Sequence, residues 1–240
     1  MVSQKYVHGY SRRETARLYD QAGAVRDFLH HDSVFPAGSL VLEAGCGVGA
    51  QTVTLAQNNP RTKFVSIDIS SESLAKAEKL IRRNKIRNVE FQQADLFHLP
   101  FKPASFDHLF VCYVLEHLAE PVKALRCLKK MLKPGGSVTV IEGDHGSCYF
   151  HPETAAAMKA WQCLIRVQAS LGGDSLIGRR LYPLLAQAGL KNIRVSPRMI
   201  YIDQSQPVLM KAFTGRTITP MVQGVEQQAL KMKLNDRRTW

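Results

Sequence analysis

The chain has 240 residues, of which 45% are hydrophobic and 22% are charged, a composition that is ordinary for one globular domain with its own core. The net charge is +12, but the basic residues are spread along the chain, which favours a solvated surface over a nucleic-acid site. Five cysteines without a C-x-x-C pair, no apolar run of membrane-spanning length and no signal-peptide core predict free thiols and a cytoplasmic protein.

A helix is predicted near the N-terminus, where Ser11-Arg12-Arg13-Glu14 forms a capping box. Apolar residues recur behind this box at helical spacing and predict its buried side: Leu18, Ala22, Val25 and Leu29. Pro36-Ala37-Gly38 then predicts a turn into the first strand.

A glycine-rich loop follows that strand. Residues 39–44 read as a short buried strand, Gly45-Cys46-Gly47-Val48-Gly49 comes next, and a helical pattern begins near Gln51. This order predicts a pocket for a nucleotide-like ligand, because glycines let the backbone approach a ligand and a helix start offers free N–H groups. The Gly-x-Gly-x-Gly spacing differs from the Gly-x-Gly-x-x-Gly of dinucleotide binders.

Two further strands end in a carboxylate. Asp68 ends the second strand and is predicted to accept hydrogen bonds from a ribose diol. The alternative role for Asp68 is to cap the next helix, for which Ser70 is already suited. Asp95 follows the third strand and is predicted to accept from an adenine amino group, with the Leu96 N–H on the ring. The alternative for Asp95 is a turn-forming residue.

Strand and helix patterns alternate through residues 39–142, which predicts an α/β fold with a mostly parallel sheet and helices on both faces. Strands are predicted at residues 39–44, 63–68, 89–93, 106–112 and 136–142. Helices are predicted at residues 50–58, 71–84 and 120–132. A ligand of such a sheet lies at the carboxyl ends of the strands, near the point where the strand order reverses.

Five motifs in this order resemble those of one family. They are Glu43-Ala44-Gly45-Cys46-Gly47-Val48-Gly49, Asp68, Ala94-Asp95, Phe106-Asp107 and Leu132-Lys133-Pro134-Gly135-Gly136. Together they resemble a class I S-adenosylmethionine-dependent methyltransferase. Within that class they are similar to the small-molecule branch that includes the ubiquinone and menaquinone C-methyltransferases. The resemblance covers residues 39–142 and implies a Rossmann-like fold.

The resemblance implies S-adenosylmethionine as the cofactor and S-adenosylhomocysteine as its product. In the family, the glycine loop wraps the methionine part, the second-strand acid holds the ribose, and the third-strand Asp binds the adenine, whose face Ile69 would contact. The carbonyl of Cys112, at the end of the fourth strand, could take the cofactor's ammonium group. The implied cofactor-binding residues are Tyr10, Glu43, Gly45, Cys46, Gly47, Gly49, Gln51, Asp68, Ile69, Ala94, Asp95, Leu96 and Cys112.

The resemblance also implies a division of the chain. The expected parts are an N-terminal helical lid at 1–38, a methyltransferase domain at 39–203 with a helical insertion at 150–189, and a helical tail at 204–240. Tyr10 and Arg13 on the lid could then reach the cofactor's carboxylate or the substrate. The alternative is that the leading helix only shields the edge of the sheet.

The stretch Glu142-Gly143-Asp144-His145-Gly146, directly after the fifth strand, is the most reactive-looking cluster of the chain. An Asp144–His145 pair could remove a proton from a hydroxyl or an acidic carbon, so both residues are predicted to be catalytic. The alternative is a turn in which Asp144 makes local backbone bonds. His117, within Leu-Glu-His-Leu, is predicted to be a packed, hydrogen-bonded residue.

The C-terminal part departs from the family pattern. Helices are predicted at residues 152–171 and 178–188, a sixth strand at 192–203, and a mostly helical tail after it. The final antiparallel strand is missing from this prediction, because residues 216–240 have neither alternation nor a β-branched run. We therefore expect either a truncated chain or a tail exchange within a homodimer, since an unfilled slot would expose strand edges.

These observations favour methyl transfer from S-adenosylmethionine to a small-molecule acceptor by in-line displacement. Methylation of RNA or a protein is the alternative. Only the net charge favours it, so nucleic acid is not the preferred partner. The spacing of Gly45 to Gly49 argues against a nicotinamide-dependent oxidoreductase. Intact motifs argue against a cofactor-binding regulator without catalysis. The chain also lacks the Asn-Pro-Pro-Tyr signature of amino-methylating DNA and protein enzymes.

Overall fold

Five parallel strands in the order β3-β2-β1-β4-β5 form the centre of the molecule. The computed structural model describes residues 17–18, 23, 26, 28–237 and 240. The strands are β1 (Leu40–Ala44), β2 (Lys63–Asp68), β3 (Val89–Gln93), β4 (Phe106–Cys112) and β5 (Leu132–Ile141). Each of the first four strands lies within one residue of its predicted bounds. The predicted α/β class with a parallel sheet is therefore confirmed, and the strand order reverses between β1 and β4.

Helices connect the strands and form the C-terminal part of the chain. They are α1 (Ala50–Asn58), α2 (Ser71–Arg83), α3 (Pro121–Met131), α4 (Ala155–Ser170), α5 (Leu181–Gln187), α6 (Pro207–Leu209), α7 (Thr219–Gly224) and α8 (Glu226–Lys231). A π-helical segment, Met210–Ile218, joins α6 to α7, and short 3-10 turns lie at Leu115–His117, His145–Ser147 and Ile177–Arg180.

Side-chain caps begin two of these helices, and the cap of α2 is Ser70, as predicted. The Ser70 hydroxyl accepts from the Ser73 N–H of α2 at 3.1 Å, and the Thr154 hydroxyl accepts from the Ala157 N–H of α4 at 3.2 Å. Each cap satisfies one N–H group that has no partner inside its helix. Because Ser70 caps α2, this role does not fall to Asp68.

The two faces of the sheet bury two separate hydrophobic clusters. Leu42 of β1 packs with Leu109 of β4 and with residues of α3 and α5, such as Leu125. Val41, its neighbour in the chain, packs on the other face with Leu55 of α1. Neighbouring side chains of a strand point to opposite faces, so a sheet that is buried on both faces needs an unbroken apolar run.

The fifth strand begins earlier than predicted. Its first residue, Leu132, pairs with Phe106, and after a register shift Ser137 pairs with His108. Gly135 lies in this shift with a φ of 79°, which a residue with a side chain rarely adopts. The turn predicted before this strand is therefore a β-bulge inside it, where the pairing with β4 changes register.

The predicted sixth strand at 192–203 is wrong for the described residues, because this segment pairs with no strand. Its side chains alternate as in a strand, with Met199 and Tyr201 exposed and Ile200 packed against the cluster on the α1 face. Arg198 anchors the segment by donating to both carboxylate oxygens of Asp32, at 2.8 and 2.6 Å. Side-chain contacts thus hold residues 192–203 in place without the backbone hydrogen bonds of a sheet.

The helices α7 and α8 pack against α4, and Phe213 of the π-helical segment packs against the cluster on the α1 face of the sheet. Trp161 and Leu164 of α4 share a hydrophobic cluster with Met221, Val225 and Ala229. The predicted helical insertion and helical tail are thus both present, and they bury each other's apolar sides. The division of the chain into lid, methyltransferase domain and tail stays a prediction.

The segment before β1 is helical at those of its residues that the structure describes, up to His30. Its predicted start at Ser11, and the predicted contacts of Tyr10 and Arg13, lie outside the described residues. No helix within the described parts of the chain is long and apolar enough to cross a membrane.

The core assignment predicts the effect of a matched pair of substitutions. Val41→Ala should lower the free energy of unfolding by about 1–3 kcal/mol, because it removes buried methyl groups and leaves a cavity. Val208→Ala should change it by less than about 0.5 kcal/mol, because Val208 is 81% exposed. Urea unfolding of the two variants measures both values. Equal losses would contradict the placement of Val41 in the core.

Candidate functional site

The glycine loop between β1 and α1 needs its glycines for different reasons. Gly45, Gly47 and Gly49 all have positive φ angles, of 76°, 53° and 77°. A β-carbon on Gly45 would lie 2.5 Å from the side chain of Val114, and one on Gly49 would lie 2.9 Å from that of Ala77. A β-carbon on Gly47 would have no atom within 4 Å. The outer glycines therefore allow close packing, and the middle one faces open space.

Asp68 holds the middle of this loop. Its Oδ2 accepts from the Gly47 N–H at 2.8 Å, and its Oδ1 accepts from the Ser70 N–H at 2.9 Å. Burial raises the pKa of Asp68 above its ordinary value, although the backbone hydrogen bonds from Ser70 and Gly47 oppose this. The carboxylate predicted to bind a ribose therefore lies directly beside the open space at Gly47.

Glu43 lies beneath the loop, only 3% exposed. Its Oε1 accepts from the Thr52 hydroxyl of α1 at 3.0 Å, and its Oε2 accepts from the Ser66 hydroxyl of β2 at 2.6 Å. Burial raises the pKa of Glu43 to about 7, against the effect of these hydrogen bonds. Both oxygens are thus used within the protein, and Glu43 joins the strand before the loop to the helix after it.

Cys46 of the loop is buried, and burial raises the pKa of its thiol well above the ordinary value. A thiol that stays protonated is a poor nucleophile. The backbone N–H groups of Gly45 and Cys46 both donate to the Ile67 carbonyl, at 2.8 and 2.9 Å. Cys46 therefore fixes the loop to β2, and its predicted contact with a cofactor stays a prediction.

The predicted adenine side lies at the ends of β2 and β3. Ile69 follows Asp68 and is 63% exposed. Ala94 is buried and donates its N–H to the Asp68 carbonyl at 3.1 Å. The exposed Ile69 side chain therefore offers an apolar surface next to the carboxylate of Asp68, with Leu96 half-buried on the following turn.

The side chain of Asp95 makes local hydrogen bonds in the turn after β3, as in the turn-forming alternative. Its Oδ1 accepts from the Phe97 N–H, and its Oδ2 contacts Nδ1 of His98, both at 2.9 Å. Although partial burial opposes it, these two partners lower the pKa of Asp95 below its ordinary value. An adenine amino group would share this carboxylate with His98, a neighbour that sequence reasoning did not identify.

Glu142, the first residue after β5, binds the backbone that follows β4. Glu142 accepts from the N–H groups of Val114 at 2.9 Å, of Leu115 at 2.8 Å and of Glu116 at 3.3 Å. Burial and the nearby Glu116 raise the pKa of Glu142 to about 8. Glu142 thus joins the carboxyl ends of β4 and β5, and its raised pKa marks this edge of the sheet as unusual.

The predicted Asp144–His145 pair is not formed. Asp144 accepts from Nε of Arg179 with both oxygens, at 3.1 and 3.0 Å, and from the Ser147 hydroxyl at 2.8 Å. Despite partial burial, these partners lower the pKa of Asp144 below its ordinary value. The ring of His145 instead points its Nδ1 to the Ser175 carbonyl at 3.2 Å. The two side chains therefore have different partners, and the predicted catalytic roles of Asp144 and His145 stay predictions.

Comparison with known proteins decides the family of the chain. The model of a family described as a methyltransferase domain matches residues 37–189.

This chain belongs to the methyltransferase-domain family.

Two relatives and one solved structure illustrate the family. A demethylmenaquinone methyltransferase of Lactobacillus johnsonii is 32% identical over 173 residues, which are 67% of this chain and 71% of the relative. An uncharacterised methyltransferase of Schizosaccharomyces pombe is 36% identical over 119 residues, 47% of this chain and 43% of the relative. The crystal structure of a SAM-dependent methyltransferase from Aquifex aeolicus has a TM-score of 0.59 at 19% identity, covering 77% of this chain and 92% of that one.

These comparisons confirm the predicted methyltransferase family and its Rossmann-like fold. For several of its curated relatives, the methyltransferase chain spans about half of their length or less. The roles of the individual site residues stay predictions.

One further contact of this methyltransferase joins the N-terminal helix to the glycine loop. Nε2 of the buried His30 lies 2.6 Å from Oε1 of Gln51, in the first turn of α1. Burial lowers the pKa of His30, so this imidazole is neutral near pH 7 and the contact does not depend on a charge. Gln51, predicted to bind the cofactor, thus also ties the leading helix to the loop, which sequence spacing did not reveal.

The buried carboxyl group of Glu43 predicts a dependence of stability on pH. Its pKa in the folded methyltransferase is about 7, against an ordinary 4.5. Between these values the folded state holds a proton that the unfolded state has lost, so the free energy of unfolding should fall as pH rises through this range. The full difference is roughly 3 kcal/mol.

Glu43→Gln, which cannot ionise, should lose this part of the pH dependence. Denaturant unfolding of the wild type and the variant at several pH values measures it. Glu72→Gln is the control, because its side chain is 67% exposed. Parallel pH profiles of the wild type and Glu43→Gln would contradict the burial of this carboxyl group.

Proposed function

We propose that this protein transfers the methyl group of S-adenosylmethionine to a small-molecule acceptor. The observation that carries the proposal is the open space at Gly47 beside the carboxylate of Asp68. This point lies at the carboxyl ends of β1 and β2, next to the place where the strand order reverses. Ligands of open parallel sheets bind at such a place.

Each part of the cofactor has a chemically matched partner in this proposal. The glycine loop accommodates the methionine part, since Gly47 has no atom within 4 Å of the position of a β-carbon. The carboxylate of Asp68 accepts from the ribose hydroxyls, and a charged acceptor strengthens such bonds. The exposed Ile69 side chain covers one face of the adenine. The Cys112 carbonyl, at the end of β4, accepts from the ammonium group.

Methyl transfer needs little covalent chemistry from the protein. The acceptor attacks the methyl carbon in line with the carbon–sulfur bond, whose electron pair stays on sulfur to give S-adenosylhomocysteine. The protein places the acceptor behind that methyl group and excludes water. A base is needed only when the attacking group starts protonated.

A small molecule is the proposed acceptor for two reasons. The Lactobacillus johnsonii relative is a demethylmenaquinone methyltransferase, which is a small-molecule enzyme. The helix α4 lies beside the carboxyl ends of β4 and β5, because its Trp161 donates to the His145 carbonyl and its Gln168 donates to Glu116, and this narrows the space for a long polymer. Net charge is the one feature that favours an RNA or protein acceptor, and charge attraction does not select a particular acceptor.

Calorimetric titration tests the cofactor site. S-adenosylmethionine should bind the wild type, and Asp68→Asn should weaken the binding by at least about tenfold, because the ribose loses a charged hydrogen-bond acceptor. Asp236→Asn is a matched control, since that side chain is 61% exposed and pairs with Lys159 at 3.8 Å. Its affinity should equal that of the wild type.

A second variant separates cofactor binding from the shape of the loop, because Asp68 also holds Gly47. Ile69→Ala removes an exposed side chain, so it should not change folding, yet it should weaken binding several-fold through lost contact with the adenine. Tight binding of NAD in place of S-adenosylmethionine would refute the proposal. Unchanged affinity in both variants would refute the assigned site.

A further inference from the structure

We propose that Tyr113 and His145 together hold a hydroxyl group of the methyl acceptor, with His145 as the base and Tyr113 as the hydrogen-bond donor. This inference rests on the proposed function and names the residues that would act on the acceptor. Tyr113 was not among the residues singled out in the sequence, and His145 was expected to act with Asp144, which binds Arg179 instead.

Tyr113 lies at the correct edge of the sheet and in an unusual conformation. It directly follows β4 and has a φ of 56°, a left-handed conformation that costs a bulky residue free energy. Its N–H donates to the Ile141 carbonyl at 2.9 Å, at the end of β5. The next residue, Val114, packs against Gly45 of the glycine loop. Tyr113 therefore sits between the cofactor loop and the loop after β5.

The His145 ring is held in one orientation and one tautomer. Its Nδ1 contacts the Ser175 carbonyl at 3.2 Å, and a carbonyl can only accept, so Nδ1 carries the proton and Nε2 carries the lone pair in the neutral ring. Trp161 packs edge-on against the ring, with centroids 5.3 Å apart, and donates its indole N–H to the His145 carbonyl at 2.7 Å. Nε2 is thus available as a proton acceptor.

The rings of Tyr113 and His145 both lie close to Gly143. A β-carbon on Gly143 would lie 3.9 Å from Cε1 of Tyr113 and 4.0 Å from Cε1 of His145. Cε1 of His145 is bonded to both ring nitrogens, and Nδ1 is already engaged by the Ser175 carbonyl, which leaves Nε2. Cε1 of Tyr113 is bonded to the carbon that carries the hydroxyl. The absence of a side chain at Gly143 leaves the space between the two rings open.

The chemistry of the pair matches a hydroxyl group. Burial, together with the nearby Cys112, Glu116 and Glu142, raises the pKa of the Tyr113 phenol well above its ordinary value, so it keeps its proton and donates. Tyr113 is half-buried, and its hydroxyl is not among the described buried polar atoms that lack a partner, so an acceptor can reach it. One donor and one acceptor that border the same opening at Gly143 suit a group that both accepts and donates.

The step balances without a further reactant. Nε2 of His145 takes the proton of the acceptor hydroxyl, and Tyr113 donates a hydrogen bond to the oxygen that becomes negative. The electron pair freed in this way, on that oxygen or on a carbon conjugated with it, forms the new bond to the methyl carbon. The carbon–sulfur bond of the cofactor breaks, and its electrons remain on sulfur.

The test uses 4-nitrophenol as a probe, because its anion is yellow and its neutral form is not. The full chain is saturated with S-adenosylhomocysteine, and the probe is titrated at a pH below its own pKa. The wild type should bind the probe and convert it to the anion, since His145 accepts the proton and Tyr113 stabilises the charge. Calorimetry with S-adenosylhomocysteine alone checks cofactor binding separately.

Four substitutions separate the roles of the two residues from general effects. Tyr113→Phe and His145→Asn should each weaken probe binding by at least about tenfold and remove the yellow form, while the affinity for S-adenosylhomocysteine stays within a factor of about two. The Asn amide can still donate to the Ser175 carbonyl, so the loop is kept. Tyr182→Phe, at a tyrosine that is 59% exposed, and His151→Asn, at an exposed histidine, should behave as the wild type.

Gly143→Ala gives an independent readout. Its β-carbon fits without a clash but fills the space between the rings, so it should weaken the probe and not the cofactor. Probe binding that survives both Tyr113→Phe and His145→Asn overturns the inference, as does a wild type that binds S-adenosylhomocysteine but not the probe. Failure to bind S-adenosylhomocysteine would refute the proposed function itself.

Discussion

A buried carboxyl group between two strands and a helix is the constraint on which the candidate site depends. Glu43 accepts hydroxyl hydrogen bonds from Ser66 of β2 and Thr52 of α1, and it lies under the loop that carries Gly45 and Gly49. A buried carboxyl group without partners would be unfavourable, so the strand, loop and helix must keep this arrangement together. The open space at the loop is therefore preformed by the fold.

The core of the fold could be predicted from the sequence because it depends on local patterns. Apolar runs flanked by turns predict buried strands, and spacing predicts the helices between them. The segment around Ile200 shows where this reasoning stops. Its alternation of buried and exposed side chains is that of a strand, but a strand also needs a partner backbone, and the contact that holds this segment is an ion pair between Arg198 and Asp32. Nothing in the local pattern contains that information.

The candidate site could be predicted in part, for a related reason. Asp68 could be identified because a carboxylate at the end of a strand has a position that follows from the strand itself. Asp144 and His145 are neighbours in the chain, yet their side chains take different partners, one of them Arg179, 35 residues away. The left-handed backbone of Tyr113 has no sequence signal at all, because only tertiary contacts impose such a conformation on a bulky residue.

The packing of the tail against α4 has a consequence for how this fold can change. Trp161 and Leu164, on the helix that follows β5, share one cluster with Val225 and Ala229 near the chain end. The helix α4 and the last two helices thus share one hydrophobic cluster, while Phe213, just before those helices, contacts the cluster on the α1 face of the sheet. A chimera that takes α4 from a relative would therefore have to take the last helices of that relative as well. Otherwise the apolar sides of both parts would be exposed.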